Sequence, residues 1–115
     1  MNKIGFNKEP PAPAVWQVWL THVRFEGKDD GKKRPVLVTE TNGPICTILE
    51  ITSKAPTRAS DVPVTDLDIA GLGKDSVIRV HKKQTIPRTS LGSYMGYLSY
   101  GDKNIVKDTL RKGIQ

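Results

Sequence analysis

With one cysteine, Cys46, in its 115 residues, this chain has no partner for an internal disulfide. A lone thiol of this kind usually packs as a small apolar residue. The two histidines, His22 and His81, add too little to match any zinc-ligand spacing, so no structural metal and no cofactor are expected. Long apolar runs are missing as well: none approaches the ~18 residues that a membrane helix needs, and a membrane role is not expected. The opening MNKIGFNKEPPAPA lacks the apolar core of a secretory leader, which makes the cytoplasm the expected compartment. Acidic residues are in short supply. Twelve Asp and Glu stand against eighteen Lys and Arg, a net charge of +6.

That imbalance attracts polyanions, nucleic acid first, although many basic proteins are merely soluble. Its distribution is uneven. From Lys74 to Arg88 there are five cations against one acid, Asp75, and from Arg24 to Arg34 five more against three acids. Acids gather partly elsewhere, at Asp61, Asp66 and Asp68.

The length favours one domain. Residues 1–14 hold Pro10, Pro11 and Pro13 and read as a flexible proline-rich arm, leaving 15–115 as the folded domain. Strands are expected at 15–23, 34–41, 45–52, 61–67 and 76–82, with 84–86 as a small extension. The glycine-bearing, charged stretch 25–33 reads as a hairpin-like loop. The unbroken apolar run after Arg34 implies a strand buried on both faces. The 45–52 segment alternates, with Ile45, Leu49 and Ile51 on one face and Glu50 and Thr52 on the other. Pro63 marks the 61–67 strand as an edge. Near the end, Ser99 lies three residues before Asp102, a capping pattern. Ile105, Val106, Thr109 and Leu110 follow at helical spacing, and Gly113 supplies a stop. Short strands, tight turns and one terminal helix indicate a mainly β fold, a small SH3-like antiparallel barrel with a C-terminal α-helix.

Three places carry chemistry. In GKKRPVLV, Pro35 disfavours the helical region for Arg34 and holds it extended at a strand mouth. Its fixed fork of donors suits bidentate phosphate binding; the plainer reading is a solvated arginine gripping a nearby carboxylate. Thr52 ends a strand, with Ser53 and Lys54 following; its hydroxyl reads as a phosphate ligand or as a turn cap. Arg79 and His81 share a strand face that Lys83 continues, either a solvated face or a phosphate-handling one. Neighbouring cations favour neutral imidazole, which would let His81 accept a proton near pH 7. Together such groups fit RNA cleavage by its own 2′-OH, with Arg34 stabilising charge on the phosphorane.

The combination of Trp19-Leu20, the run from Gly31 through Arg34-Pro35 to Val38, Ile51-Thr52-Ser53, the stretch from Gly71 to Arg79, and Met95-Gly96-Tyr97-Leu98 before a helix resembles the PemK/MazF family. These are toxins of bacterial type II toxin–antitoxin systems. The resemblance covers residues 15–112 and implies a homodimeric barrel of the PemK/MazF/CcdB type. It implies a metal-independent endoribonuclease that cuts single-stranded RNA to a 2′,3′-cyclic phosphate and a 5′-OH, restrained by a cognate antitoxin. The family's catalytic arginine and threonine fall on Arg34 and Thr52. A later arginine falls on Arg79, while the family's following aspartate is His81 here. Lys28, Lys32, Lys33, Ser53, Lys54 and Lys83 are the expected RNA contacts. The loop before Arg34 departs from the family pattern, so cleavage sequence does not carry over. Two other readings stay open: a toxin of the same fold that poisons gyrase by protein contact, and a barrel that binds nucleic acid without cutting it.

Overall fold

A computed structural model of the protein describes residues 11–22 and 32–113. Most of the proposed arm and the greater part of the charged loop, Lys28 included, lie outside the described residues. Those described form six strands, β1 (Gln17–Thr21), β2 (Arg34–Asn42), β3 (Ile45–Thr52), β4 (Asp61–Pro63), β5 (Val77–Pro87) and β6 (Leu91–Tyr97). A four-residue helix α1 (Leu67–Ala70) precedes β5, a 3-10 turn (Arg88–Ser90) precedes β6, and helix α2 (Tyr100–Arg111) follows. The strands make one antiparallel sheet in the order β4-β5-β3-β2-β1-β6. Its edges β4 and β6 do not pair with each other, so the curled sheet is not closed. No helix among the described residues is long and apolar enough to cross a membrane.

Apolar side chains pack on both sides of this sheet. On one side Val18, Leu37, Leu49, Ile51, Ile78 and Val80 meet α1 and α2 through Ala70 and Val106. On the other, Trp19, Val36, Val38, Cys46, Ile48 and Ile86 form a second cluster, with Tyr94 edge-on to Trp19 at 5.7 Å. The run Val36-Leu37-Val38 is therefore buried on both faces, as its composition implies. In β3, Leu49 and Ile51 share a core face as expected, but Cys46 and Ile48 are buried on the opposite face, and Ile45 is exposed at the strand's start. Burial pushes the Cys46 thiol up, against the opposing pull of Arg88.

Pro63 does lie on an edge strand, but that strand stops there. Asp66 then caps α1, its carboxylate accepting from the Ile69 N–H. Residues 91–97, to which no strand is assigned from sequence, form β6. Ser99 caps α2 by accepting from Asp102 N–H, as the spacing implies, and Gly113 takes the left-handed conformation just beyond its end.

Candidate functional site

Where β2 begins and β3 ends, the sheet's rim opens into a cleft of about 380 Å³. Arg34 is the first residue of β2 and Thr52 the last of β3. The two strands pair with Val36 opposite Glu50, and two further steps along that register set Arg34 across from Thr52. Both line the cleft, together with Lys33, Ser53 and Lys54. Five of the sequence-expected residues are thus brought together. Lys54 N–H donates to Thr52 Oγ1 at 3.2 Å. The hydroxyl oxygen accepts that bond, and its own proton remains available to donate elsewhere.

The opposite wall comes from the segment between α1 and β5. Lys74 and Ser76 line the cleft, with Leu72 and Met95 contributing apolar surface. Ser76 Oγ donates to the Lys74 carbonyl at 2.8 Å, which fixes the local turn. Sequence reasoning does not single out Lys74 or Ser76 as site residues; the signal available is the flanking Gly71-Leu72-Gly73. Two close approaches set this wall against β6. A Cβ on Gly71, at φ 74°, would lie 2.0 Å from the Met95 carbonyl oxygen, and one on Gly96 would lie 2.3 Å from that of Ile69. Only glycine permits such backbone contact.

Arg79 and His81 do not line the cleft. They stand on the same sheet face as Thr52, further along β5: Arg79 pairs with Glu50 on β3 and Asp61 on β4, while Thr52 pairs with Val77. Arg79 Nη1 lies 3.4 Å from Glu50 Oε1, and its Nη2 lies 3.4 Å from His81 Nε2. His81 Nδ1 in turn faces Asp61 Oδ1 at 3.5 Å. Burial, then Arg58 and Arg79, lower the His81 pKa, and Asp61 opposes them. Burial first, and the cationic neighbours with it, favour the neutral imidazole. Asp61, set apart from the basic groups by sequence position, is in fact the partner of His81.

Lys83 departs from the expected face. A register shift between Leu49 and Glu50 pairs Lys83 with Leu49, so the alternation through Arg79 and His81 does not reach it. Lys32 is exposed beside the start of β2. A second groove of about 490 Å³, lined by Trp19, Pro44 and Leu91, is larger, but Arg88 is its one ionisable side chain among the described residues. No three His, Cys, Asp or Glu side chains among the described residues converge as metal ligands would.

Fold and cleft define a class: small, curled antiparallel β domains closed at the C-terminus by a helix, with a basic cleft at the strand-end rim. The sequence profile of the PemK-like, MazF-like toxins of type II toxin–antitoxin systems matches residues 14–114, and the chain belongs to that family. Solved structures share the fold. The Mycobacterium tuberculosis toxin MazF-mt6 is 25% identical, with 84% of this chain and 93% of that one covered and a TM-score of 0.68. A mycobacterial endoribonuclease in complex with its cognate antitoxin is 17% identical, covering 88% and 93%, with a TM-score of 0.70. A MazE–MazF structure from Deinococcus radiodurans is 18% identical, covering 92% and 100%, with a TM-score of 0.67. No curated protein matches the chain.

Proposed function

We propose that this toxin is an endoribonuclease that cuts single-stranded RNA by internal attack of a 2′-OH on the adjacent phosphorus. The P–O5′ bond breaks, leaving a 2′,3′-cyclic phosphate and a 5′-OH. The reading is carried by one observation: Arg34 and Thr52, at the two open ends of the β2–β3 hairpin, line one open cleft with Lys33, Lys54 and Lys74. A guanidinium fork and a hydroxyl donor, ringed by ammonium groups, match a phosphodiester whose non-bridging oxygens gain charge in the transition state. We assign a second guanidinium, that of Arg79, to the same phosphate; it stands on the same sheet face as Thr52, outside the cleft lining. Because the substrate supplies its own nucleophile, the chemistry has no requirement for a metal-activated water.

A cognate antitoxin is the proposed partner, an acidic segment of it competing for the basic cleft. Antitoxin-bound mycobacterial and Deinococcus structures of the same fold support that partner. A homodimer in the cytoplasm completes the proposal.

The test is purified protein with a long single-stranded RNA in EDTA, with the new ends mapped. Cutting persists in chelator and leaves cyclic phosphate ends. Arg34→Ala lowers the rate at least 100-fold, the scale on which single oxyanion-stabilising donors act, in a variant that circular dichroism shows to be folded at the assay temperature. Arg34→Lys restores little, since a point charge lacks the fork. Intact RNA at high protein concentration would overturn the reading. Retained RNA binding would then favour the non-cleaving barrel, and gyrase inhibition the protein-contact toxin.

A further inference from the structure

The group of Glu50, Arg79, His81 and Asp61 spans three neighbouring strands, β3, β5 and β4. Its side chains are largely buried: 11% exposed for Glu50, 23% for Arg79, 10% for His81 and 2% for Asp61. Asp61 Oδ1 and His81 Nδ1 are both buried without a hydrogen-bond partner, and they face each other at 3.5 Å. The other oxygen, Oδ2, accepts from Thr57 N–H at 2.8 Å and from Arg58 N–H at 3.3 Å. Those bonds fix the carboxylate, so Oδ1 is held toward the ring.

Two neighbours dictate one tautomer. A lone pair on Nδ1 would confront the carboxylate oxygen, and a proton on Nε2 would confront the Arg79 guanidinium. Both conflicts vanish when Nδ1 carries the proton and Nε2 accepts from Arg79 Nη2. The charges agree: Asp61 on β4, Arg79 on β5 and Arg58 before β4 act on the ring, and Glu50 on β3 pairs with Arg79, two carboxylates against two guanidinium groups. A neutral imidazole leaves this group at zero net charge, and protonation would leave an excess cation in a buried place.

We propose that His81 is a positioning residue for Arg79, its Nε2 accepting from the guanidinium while Asp61 fixes the tautomer that makes this possible. This rests on the endoribonuclease reading for its consequence, since the group being aimed is the one assigned to the scissile phosphate. It also reassigns His81. With one ring nitrogen turned to Asp61 and the other to Arg79, the imidazole orients a cation instead of taking the proton of the 2′-OH.

His81→Gln separates the two roles. A glutamine Oε1 reaches the place of Nε2 and accepts from Arg79, but takes up no proton near neutral pH. Positioning predicts that His81→Ala lowers kcat about 10- to 100-fold, the weight of one hydrogen bond to a charged group, while His81→Gln recovers most of it. Wild type should lose activity in an acid limb below the ordinary imidazole value of about 6.5, and that limb should be absent from the glutamine variant. Glutamine as inactive as alanine would overturn the proposal in favour of a proton-accepting role. Nitrogen-15 NMR of the RNA-free protein provides a readout that needs neither cleavage nor a variant that folds. At pH 7 it should show His81 protonated on Nδ1, with separate, slowly exchanging Arg79 Nη signals. Protonation on Nε2, or an averaged Arg79 guanidinium, overturns positioning whatever the protein does to RNA. Absence of cutting alongside the expected spectra would instead defeat the endoribonuclease reading and leave the Asp61–His81–Arg79 arrangement standing.

Discussion

In the first turn of α2, Asp102 is 1% exposed and accepts from Thr65 Oγ1 at 2.7 Å, Thr65 N–H at 2.9 Å and Asp66 N–H at 3.1 Å. It ties the start of the helix to the segment that follows β4. Burial alone would raise this carboxyl, but the donors from Thr65, Asp66 and Ser99 outweigh it and hold the pKa below the ordinary carboxylate value. The sign follows directly. A depressed folded pKa contributes stability that is complete above the unfolded value of about 3.9 and is lost as pH falls below it. Asp102→Ala strands the Thr65 and Asp66 donors and costs about 1–3 kcal/mol at pH 7. In thermal unfolding the gap between wild type and variant is several degrees at pH 7 and narrows by pH 3; an equal gap at both would sink this account. At this scale the sequence is partly legible. Ser99 and Asp102 mark the cap by spacing alone. That Asp102 also binds Thr65, 37 positions away, depends on a long-range approach that no local pattern encodes. The same limit separates Arg34 and Thr52, visible as strand-end residues, from the pairing of His81 with Asp61.

Among the elements, β2, β3 and α2 are readable because their signals are local: apolar runs, turn residues, a cap and a helical period. β6 is not, and its glycines explain why. LGSYMGY carries Gly92 and Gly96, which lower strand propensity, and both answer to tertiary contacts. A Cβ on Gly92 would stand 2.8 Å from the Leu20 carbonyl oxygen across β1, and one on Gly96 2.3 Å from that of Ile69 in α1. The face shared by Arg79 and His81 is likewise readable as far as the period of two holds, and fails at the register shift before Lys83. Gly96→Ala would force α1 away from β6, with an overpacking cost of about 1–3 kcal/mol. Met95 and Leu72 move with those elements, so the variant also disturbs the cleft. Gly101 offers the contrast: it lies in α2 with nothing within 4 Å of a built Cβ. Gly101→Ala stabilises by up to about 1 kcal/mol. Denaturant midpoints of the two variants should therefore shift in opposite directions. A neutral Gly96→Ala would show that the close contact of α1 with β6 does not hold this wall of the cleft.

For the molecule as a whole, the relevant quantity is where the net charge of +6 is presented. Lys33, Arg34, Lys54 and Lys74 line a single cleft and come from two sides of it, the β2–β3 rim and the segment before β5. If a single strand lies there, each phosphate neutralised releases condensed counterions, and log K falls against log salt with a slope of about −0.7 per phosphate contacted. Four contacts give a slope near −3 by the same rule. Lys74→Ala removes one cation from the wall opposite Arg34, and should weaken binding of every RNA sequence alike while making the slope shallower by about 0.7. Lys107→Ala, on the exposed surface of α2 and outside the cleft lining, removes the same formal charge. It serves as the control for net charge, because it changes the total without changing the cleft lining. Binding of a non-cleavable single strand, with the attacking 2′-OH replaced by hydrogen, measures both variants across a salt series without interference from cutting. Equal slopes for Lys74→Ala and Lys107→Ala would mean that RNA responds to the diffuse charge of the protein and not to the cleft.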